Sequence, residues 1–303
     1  IAFVSYLSQT LLSLIIVSNL VVLFTKASAS AARVNEIFET LPSVTENTES
    51  IINRQNSSDI PKIEFRNVYF SYHKNKEKSL IENFNLKIMK GQTIGIIGAT
   101  GSGKSTVINL IPRFYDTGSG EIYIDGINIK DYSFKELRYK IGLVPQHAGI
   151  ISKTIRENMK FRKADATDEE IYKALDTAVF KSFIEKLPDK LSTVISRGGK
   201  NLSGGQLQRL TIARALVGNP EILILDDSAS ALDFATDAAL RKNIKNNTDN
   251  MTVIIVSQRA ASIRNSDFIV VMENGKILDN GTHEVLLERC LEYKEICKAQ
   301  NIT

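Results

Sequence analysis

The chain has 303 residues, of which 43% are hydrophobic and 24% are charged, a composition typical of one large globular domain with an appendage rather than of a disordered or fibrous protein. Its 38 basic and 34 acidic residues give a formal net charge of +4. Because binding to a phosphate backbone needs a clustered basic excess, this balance excludes nucleic acid as an expected partner.

The first predicted element is a membrane-spanning helix at the N-terminus. Residues 1–24 contain no charged side chain, and 24 residues at ~1.5 Å each reach roughly 36 Å, enough to cross a hydrocarbon core with some tilt. The first charges, Lys26 and Arg33, follow the apolar run, so the positive-inside rule places its C-terminal end on the cytoplasmic side. A buried core helix is the alternative interpretation.

The chain divides into three predicted parts. Helical composition continues to Leu41, where Pro42 favours a stop because it restricts the residue before it. Residues 43–61 are polar and contain scattered Asn and Ser, as in a linker. We therefore expect a transmembrane helix with a cytosolic extension at 1–42, a linker, and one soluble domain at 62–303.

Short strand-like runs alternate with amphipathic stretches in the soluble domain. These runs are residues 62–70, 93–98, 141–146, 221–227 and 252–257. The alternation predicts an α/β fold whose sheet is built from crossover units. Asn274-Gly275 between two apolar runs predicts a β-hairpin.

A glycine-rich loop lies between one of these strands and the next helical segment. Its glycines let backbone N–H groups turn inward around an anion, and the following helix N-terminus adds its dipole. We expect the loop to bind nucleotide phosphates, with Lys104 facing the β- and γ-phosphates and the Ser105 hydroxyl coordinating Mg²⁺. The candidate binding residues are Gly98, Thr100, Gly101, Ser102, Gly103, Lys104, Ser105 and Thr106.

A second candidate site lies at the end of the strand-like run 221–227, which ends in two carboxylates. In a nucleotide-binding sheet the first carboxylate after the strand typically holds Mg²⁺, a role that falls to Asp226. Asp227 is then expected to polarise the attacking water. The spacing predicts a metal ligand and a catalytic group side by side.

A further glycine-bearing turn precedes a helical run at Leu202–Gln206. The run NLSGGQLQR resembles the signature motif of ABC ATPases, and the phosphate loop, the strand ending in Asp226-Asp227 and the SALD segment at 230–233 agree with it. The resemblance covers roughly residue 62 to the C-terminus. It implies a P-loop ABC ATPase domain with a mixed sheet core and a helical subdomain, ATP and Mg²⁺ as cofactors, and, from the apolar helix ahead, an exporter.

The resemblance also implies roles for single residues. Tyr72 would stack on adenine, a plain surface tyrosine being the alternative, Gln146 would contact Mg²⁺, and Asp233 would communicate between sites. In this family two ATPase domains pack head to tail, and each ATP lies between the phosphate loop of one and the signature of the other. The signature residues that would serve the partner's site are Ser203, Gly204, Gly205 and Gln206.

Three positions depart from the family pattern. Asp227 stands where glutamate is usual, so its carboxylate is withdrawn by roughly 1.5 Å, and a misplacement of about 1 Å can cost ~10²-fold in rate. Gln258 stands where histidine is usual and cannot carry a proton charge. Both changes weaken one hydrolytic step, so the chain resembles the catalytically poor subunit of heterodimeric bacterial exporters. Arg197 replaces a usually acidic residue in the loop that touches the membrane domain.

The expected function is ATP-driven export by a chain that lies in the cell membrane with its ATPase domain in the cytoplasm. Its expected partners are the lipid bilayer, a second and non-identical exporter subunit, and a substrate that the sequence does not specify. A homodimeric exporter with slow hydrolysis and a non-hydrolysing ATP-binding module are the alternatives. A DNA-repair ABC protein is disfavoured because Lys104 and Ser203 are only 99 positions apart, too few for an inserted long coiled coil.

Overall fold

The computed structural model describes residues 2–46, 59–72, 79–147, 149–228, 232–248 and 250–302. They form two compact units, Ile1–Thr45 and Glu46–Thr303. Each unit has its own architecture, an extended helix in the first and an α/β domain in the second.

The first unit is one helix, α1 (Ala2–Glu39), and none of its residues is buried. An 18-residue window of α1 has a mean hydropathy of 2.1, and α1 is the one helix in the described ranges that is long and apolar enough to cross a membrane. Four of its hydroxyl side chains donate to carbonyls one turn earlier, which satisfies them within the helix, as a helix in lipid requires. These side chains are Ser8, Thr10, Ser13 and Thr25.

The end of α1 differs slightly from the expected one. The helix stops at Glu39 rather than at Leu41, and the Thr40 N–H closes the last turn on the Ile37 carbonyl at 3.3 Å. That three-residue spacing is the tighter bond typical of a fraying helix end. Pro42 restricts the backbone of the residue before it, Leu41, and the helix ends two residues ahead of that position.

The strands of the second unit form two sheets. The antiparallel sheet has the order β2-β1-β4-β5 and consists of β1 (Ile63–Phe70), β2 (Ile81–Ile88), β4 (Ser119–Ile124) and β5 (Ile127–Asn128). The other sheet has the order β10-β9-β3-β8-β7-β6 and consists of β3 (Thr93–Ile97), β6 (Ile141–Val144), β7 (Ile222–Asp226), β8 (Thr252–Val256), β9 (Phe268–Glu273) and β10 (Lys276–Gly281). It is parallel except for the β9–β10 pair.

The helices of this unit connect and cover the sheets. They are α2 (Lys104–Leu110), α3 (Phe134–Lys140), α4 (Ile155–Met159), α5 (Asp168–Thr177), α6 (Lys181–Glu185), α7 (Gly204–Leu216), α8 (Phe234–Asn247), α9 (His283–Arg289) and α10 (Leu291–Ala299). Helices α4 and α5 pack on α7, which lies against β6.

The parallel strands are buried on both faces. In β7, Ile222 and Ile224 point to the core beneath the antiparallel sheet, while Leu223 and Leu225 point to the core beneath α5 and α7. This alternation explains why the central strands are continuous apolar runs in the sequence. It also aligns the carboxyl ends of β3, β7 and β8 at one edge, where the loops that follow them meet.

Most of the predicted elements are confirmed, and one assignment is wrong. The five predicted strands exist, and Asn274 and Gly275 link β9 to β10 with φ of +47° and +80°, as a type I′ hairpin turn requires. Residues 62–70, however, belong to the antiparallel sheet rather than to the crossover sheet. The cause is long-range: β1 pairs with β2 on one side and β4 on the other.

Candidate functional site

The loop between β3 and α2 takes a shape that glycine alone permits at several positions. Gly101 and Gly103 have φ of +84° and +99°. A Cβ at Gly98 would lie 2.1 Å from the Met272 carbonyl oxygen, so no side chain fits there. In the described part of the chain no side chain caps α2, so its first N–H groups are available to an external acceptor.

Lys104 places a buried cation inside this loop. Its Nζ donates to the carbonyl oxygens of Gly98 and Ala99, each at 2.8 Å, and to Ser102 Oγ at 3.3 Å. Burial lowers the pKa of Lys104, and the nearby carboxylates of Asp226 and Asp227 oppose that shift. The loop therefore holds its own positive charge in a fixed place.

Asp226 at the end of β7 faces the start of α2. The Ser105 hydroxyl lies 3.3 Å from Asp226 Oδ1 and donates to it. Burial raises the pKa of Asp226, the Asp227 carboxylate adds to the rise, and the Ser105 hydrogen bond counters it. A hydroxyl and a carboxylate oxygen this close are the hard oxygen donors that Mg²⁺ prefers, so these residues fit the metal that the motif implies.

Asp227 follows in a left-handed conformation, with φ of +46°, which aspartate adopts more readily than most residues. Its N–H donates to the Val256 carbonyl at 2.9 Å, which ties its backbone to β8. Burial raises the pKa of the Asp227 carboxyl, and the positive charges of Arg259 and Lys104 lower it. The backbone position of this carboxylate is thus set by the sheet.

A cleft of about 280 Å³ brings the predicted residues together from four separate segments. The predicted residues that line it are Thr100, Gly101, Gly103, Lys104, Ser105, Thr106, Gln146, Asp226, Asp227 and Gln258. Gly98 and Ser102 do not line the cleft, and instead hold the Lys104 ammonium. Leu80, Val256 and Ser257 complete the lining, although no motif in the sequence indicated them.

Tyr72 lies beside the cleft rather than in it. Its hydroxyl is 3.3 Å from Thr106 Oγ1, and its ring, 48% exposed, packs edge-on against Phe70 and Tyr115 with centroids 4.9 and 5.0 Å apart. The sequence analysis did not predict Tyr115. The feature of the sequence that could have indicated it is the aromatic pair Phe114-Tyr115 shortly after α2. The partly exposed rings of Tyr72 and Tyr115, packed on the buried ring of Phe70, form an aromatic face next to the phosphate loop.

The glycine-bearing turn before α7 is built differently. Ser203 Oγ accepts from the Gln206 N–H at 3.3 Å, and Gln206 Oε1 accepts from the Ser203 N–H at 2.8 Å, a reciprocal capping box. A Cβ at Gly204 would meet no atom within 4 Å. Within the described ranges, Ser203, Gly204, Gly205 and Gln206 contribute nothing to the lining of the cleft.

Two further predicted residues lie outside the cleft. Asp233 caps α8, accepting from the Thr236 N–H at 2.9 Å and the Thr236 hydroxyl at 2.8 Å, and these bonds lower its pKa. Ser230 and Ala231 of the same predicted segment lie outside the described residues. Arg197 is exposed at the start of a short 3₁₀ turn, Arg197–Gly199. The communication role of Asp233 and the coupling effect of Arg197 stay predictions.

In this domain a glycine-rich loop follows a central parallel strand and leads into a helix. The loop lies beside a strand that ends in carboxylates. This combination defines a P-loop nucleotide-binding domain. Residues 81–230 match the family described as ABC transporter. The chain therefore belongs to the ABC transporter family, and the predicted family and ABC ATPase fold are confirmed.

Relatives with curated descriptions agree with this assignment. The chain is 42% identical over 240 residues to the ATP-binding/permease protein YgaD of Bacillus subtilis (strain 168), which is named for multidrug export, covering 79% of this chain and 41% of YgaD. It is 44% identical over 225 residues to ABC transporter B family member 21 of Arabidopsis thaliana, covering 74% of this chain and 17% of that protein. The chain thus spans less than half the length of either relative.

A solved structure matches the fold over most of the chain. A bacterial Atm1-family ABC exporter with ATP bound superposes with a TM-score of 0.83 at 30% sequence identity, covering 92% of this chain and 48% of that one. The similarity therefore extends beyond the residues of the family match to most of the chain.

Proposed function

We propose that this chain binds Mg-ATP and helps to drive export of a substrate across a membrane, as the weakly hydrolytic subunit of a heterodimeric ABC exporter. The observation that carries the proposal is the composition of the cleft. Lys104, Ser105 and Asp226 converge there, together with the two residues that depart from the family pattern, Asp227 and Gln258. Binding residues and altered hydrolytic residues share one site.

The binding half of the cleft offers a cation, backbone N–H donors and oxygen ligands, the kinds of group that phosphates and Mg²⁺ bind. Lys104 faces the β- and γ-phosphates as a fixed cation, and the open N–H groups of the loop and α2 donate to them. Ser105, Asp226 and Gln146 hold Mg²⁺, which when bound neutralises phosphate charge. Tyr72 offers its half-exposed ring to adenine.

The hydrolytic half is weak for a geometric reason. Because the Asp227 N–H is bonded to the Val256 carbonyl, the backbone cannot move forward to replace the missing methylene without breaking a bond to β8. The carboxylate therefore stays roughly 1.5 Å short of a glutamate's reach. Gln258 donates to the γ-phosphate as an amide and carries no proton charge.

A second chain is needed because the signature turn lies outside this cleft. In the proposed head-to-tail dimer the turn at Ser203–Gln206 covers the partner's ATP, and a non-identical partner supplies the glutamate and histidine that this chain lacks. The exposed surface of α1 is covered by lipid and by further helices of a transport domain. We propose the division 1–42, 43–61 and 62–303 for membrane helix, linker and cytoplasmic ATPase domain.

A homodimeric exporter with slow hydrolysis is the second candidate. It is favoured by one observation: Asp227 is still a carboxylate in the cleft, and burial raises its pKa toward that of a stronger base. The two candidates differ in how much activity Asp227 and Gln258 retain.

The test is restoration of the two altered residues. Asp227→Glu together with Gln258→His should raise phosphate release at saturating Mg-ATP by about 10- to several-thousand-fold, which corresponds to about 1.4 to 5 kcal/mol of barrier. The measurement uses the protein with its transport domain complete, so that dimerisation is not limiting. Adding Lys104→Ala to the double variant serves as the control and should remove the gain. A wild type that already turns over like active family members, with no gain on substitution, would contradict the heterodimer proposal.

A further inference from the structure

The segment that carries Gln258 is tied to the C-terminal end of α10 by one side chain. Gln300 Nε2 donates to the Gln258 carbonyl at 2.7 Å. Its Oε1 accepts from the Ala260 N–H at 2.8 Å. Gln300 is 42 positions from Gln258 and belongs to none of the motifs that identify the site. A single amide thus bridges both ends of the segment 258–260.

Gln300 itself is held by a well-anchored helix end. The N–H groups of Gln300 and Ile302 both donate to the Cys297 carbonyl, at 3.1 and 3.0 Å. Cys297 is buried, and Ile302 packs against the hydrophobic core. Asn301 has φ of +53°, the left-handed conformation that closes many helices. The planar amide therefore projects from a fixed backbone.

The side chain of Gln258 depends on that backbone for its direction. Upstream, the Ser257 N–H donates to the Ile96 carbonyl at 3.1 Å, and Ser257 Oγ accepts from the Arg259 N–H at 3.0 Å. These bonds fix Ser257 but leave the Gln258 carbonyl to Gln300. Gln258 is exposed and lines the cleft. The direction of its side chain therefore depends on the orientation of its own backbone peptide unit.

We propose that Gln300 is a positioning residue for recognition of the γ-phosphate, acting through Gln258. The inference rests on the proposed function, in which Gln258 faces the γ-phosphate. Gln300 orients the segment 258–260 so that the Gln258 amide reaches the terminal phosphate of ATP, which ADP lacks. The C-terminal helix α10 thereby contributes to how the site distinguishes ATP from ADP.

The experiment measures this distinction directly. Dissociation constants for Mg-ATP and Mg-ADP are determined by calorimetry on the 303-residue chain in detergent, and the ratio Kd(ADP)/Kd(ATP) is compared between variants. Gln300→Ala should lower the ratio about 2- to 10-fold, the value of one hydrogen bond. Gln300→Glu keeps the acceptor for Ala260 but loses the donor to the Gln258 carbonyl, so it should also lower the ratio. Lys298→Ala, an exposed neighbour on the same helix, is the matched control and should leave it unchanged.

A double-mutant cycle separates positioning from a merely structural role. Gln258→Ala should lower the ratio, and adding Gln300→Ala should lower it no further, because both act through one contact. Additive effects would mean that Gln300 does not act through Gln258, and would overturn the inference. A ratio that falls with Gln258→Ala but not with either Gln300 variant would overturn it while leaving the proposed function intact. A ratio insensitive to Gln258→Ala would remove both the positioning role and the γ-phosphate role.

Discussion

The two glycine-bearing turns of this domain differ in how the N-terminus of the helix that follows them is capped. The loop 98–106 leads into α2 without a side-chain cap in the described part of the chain, and it encloses Lys104 beside two carboxylates. The turn at Ser203–Gln206 caps α7 with its own side chains and lies outside the cleft. Both sequences suggest an anion at a helix N-terminus. Among the described residues, the first turn lies in one cleft with a cation and candidate metal ligands, and the second does not.

The difference indicates what a glycine-bearing turn needs in order to bind an anion without groups from a second chain. An uncapped helix start keeps its N–H donors for a ligand, whereas the capping box at Ser203 already satisfies two donors. On the proposed function, the phosphate loop binds ATP with its own chain's groups, whereas the signature turn contacts the nucleotide of a second chain.

The largest expected effect is at the phosphate loop. Lys104→Ala removes the buried charge that we propose faces the phosphates, so the Kd of the chain for Mg-ATP should rise about 10- to 100-fold, the value of a charged hydrogen bond. Calorimetric titration measures this change. Lys90→Ala, which removes an exposed lysine elsewhere in the domain, should have no effect. Unchanged affinity in the Lys104 variant would break the assignment of the loop.

A smaller effect is expected at the aromatic face beside the loop. Tyr72→Ala should weaken ATP binding about 3- to 10-fold, because a stacked ring contributes ~1 kcal/mol, while the dependence on Mg²⁺ should stay the same. Tyr72→Phe keeps the ring and loses only the contact with Thr106, so it should bind almost normally. Nucleotide titration at several Mg²⁺ concentrations distinguishes the variants. If Tyr72→Ala binds ATP like the wild type, Tyr72 is a surface residue.

The smallest effect on ATP binding is expected at the signature turn. Ser203→Ala removes the cap of α7 and should lower the free energy of unfolding by about 1 kcal/mol, or the Tm by about 2 to 4 °C. Its affinity for ATP, measured on the isolated chain, should not change. Ser203→Thr keeps an acceptor and should restore the melting temperature. A loss of ATP affinity as large as that of Lys104→Ala would show that both turns act in one chain's site.

The sequence predicts the parts of the molecule that depend on local chemistry. The φ values at Gly101, Gly103 and Gly275 follow from glycine's conformational freedom, and the strand that leads to Asp226 follows from its continuous apolar run. These are the features that a motif or a local pattern can specify, and the structure has them as expected.

Contacts between residues far apart in the sequence were not predicted. The separate antiparallel sheet depends on pairing of β1 with both β2 and β4. The contact of Tyr115 with Tyr72 and the bond from Gln300 to Gln258 join segments about 40 positions apart, with no spacing rule to indicate them. Their position depends on packing of the whole domain rather than on local sequence.

The fate of bound nucleotide tests the central claim most directly, namely that this chain's own cleft holds ATP but hydrolyses it slowly. The wild-type protein, with its transport domain complete so that dimerisation is not limiting, is incubated with Mg-ATP labelled on the α-phosphate, which ATP and ADP both keep. It is then separated rapidly from free nucleotide, and the bound nucleotide is identified. We predict that ATP remains intact on the wild type for many times the turnover time of the Asp227→Glu, Gln258→His variant. Bound ADP in stoichiometric amount after one such turnover time would contradict the account.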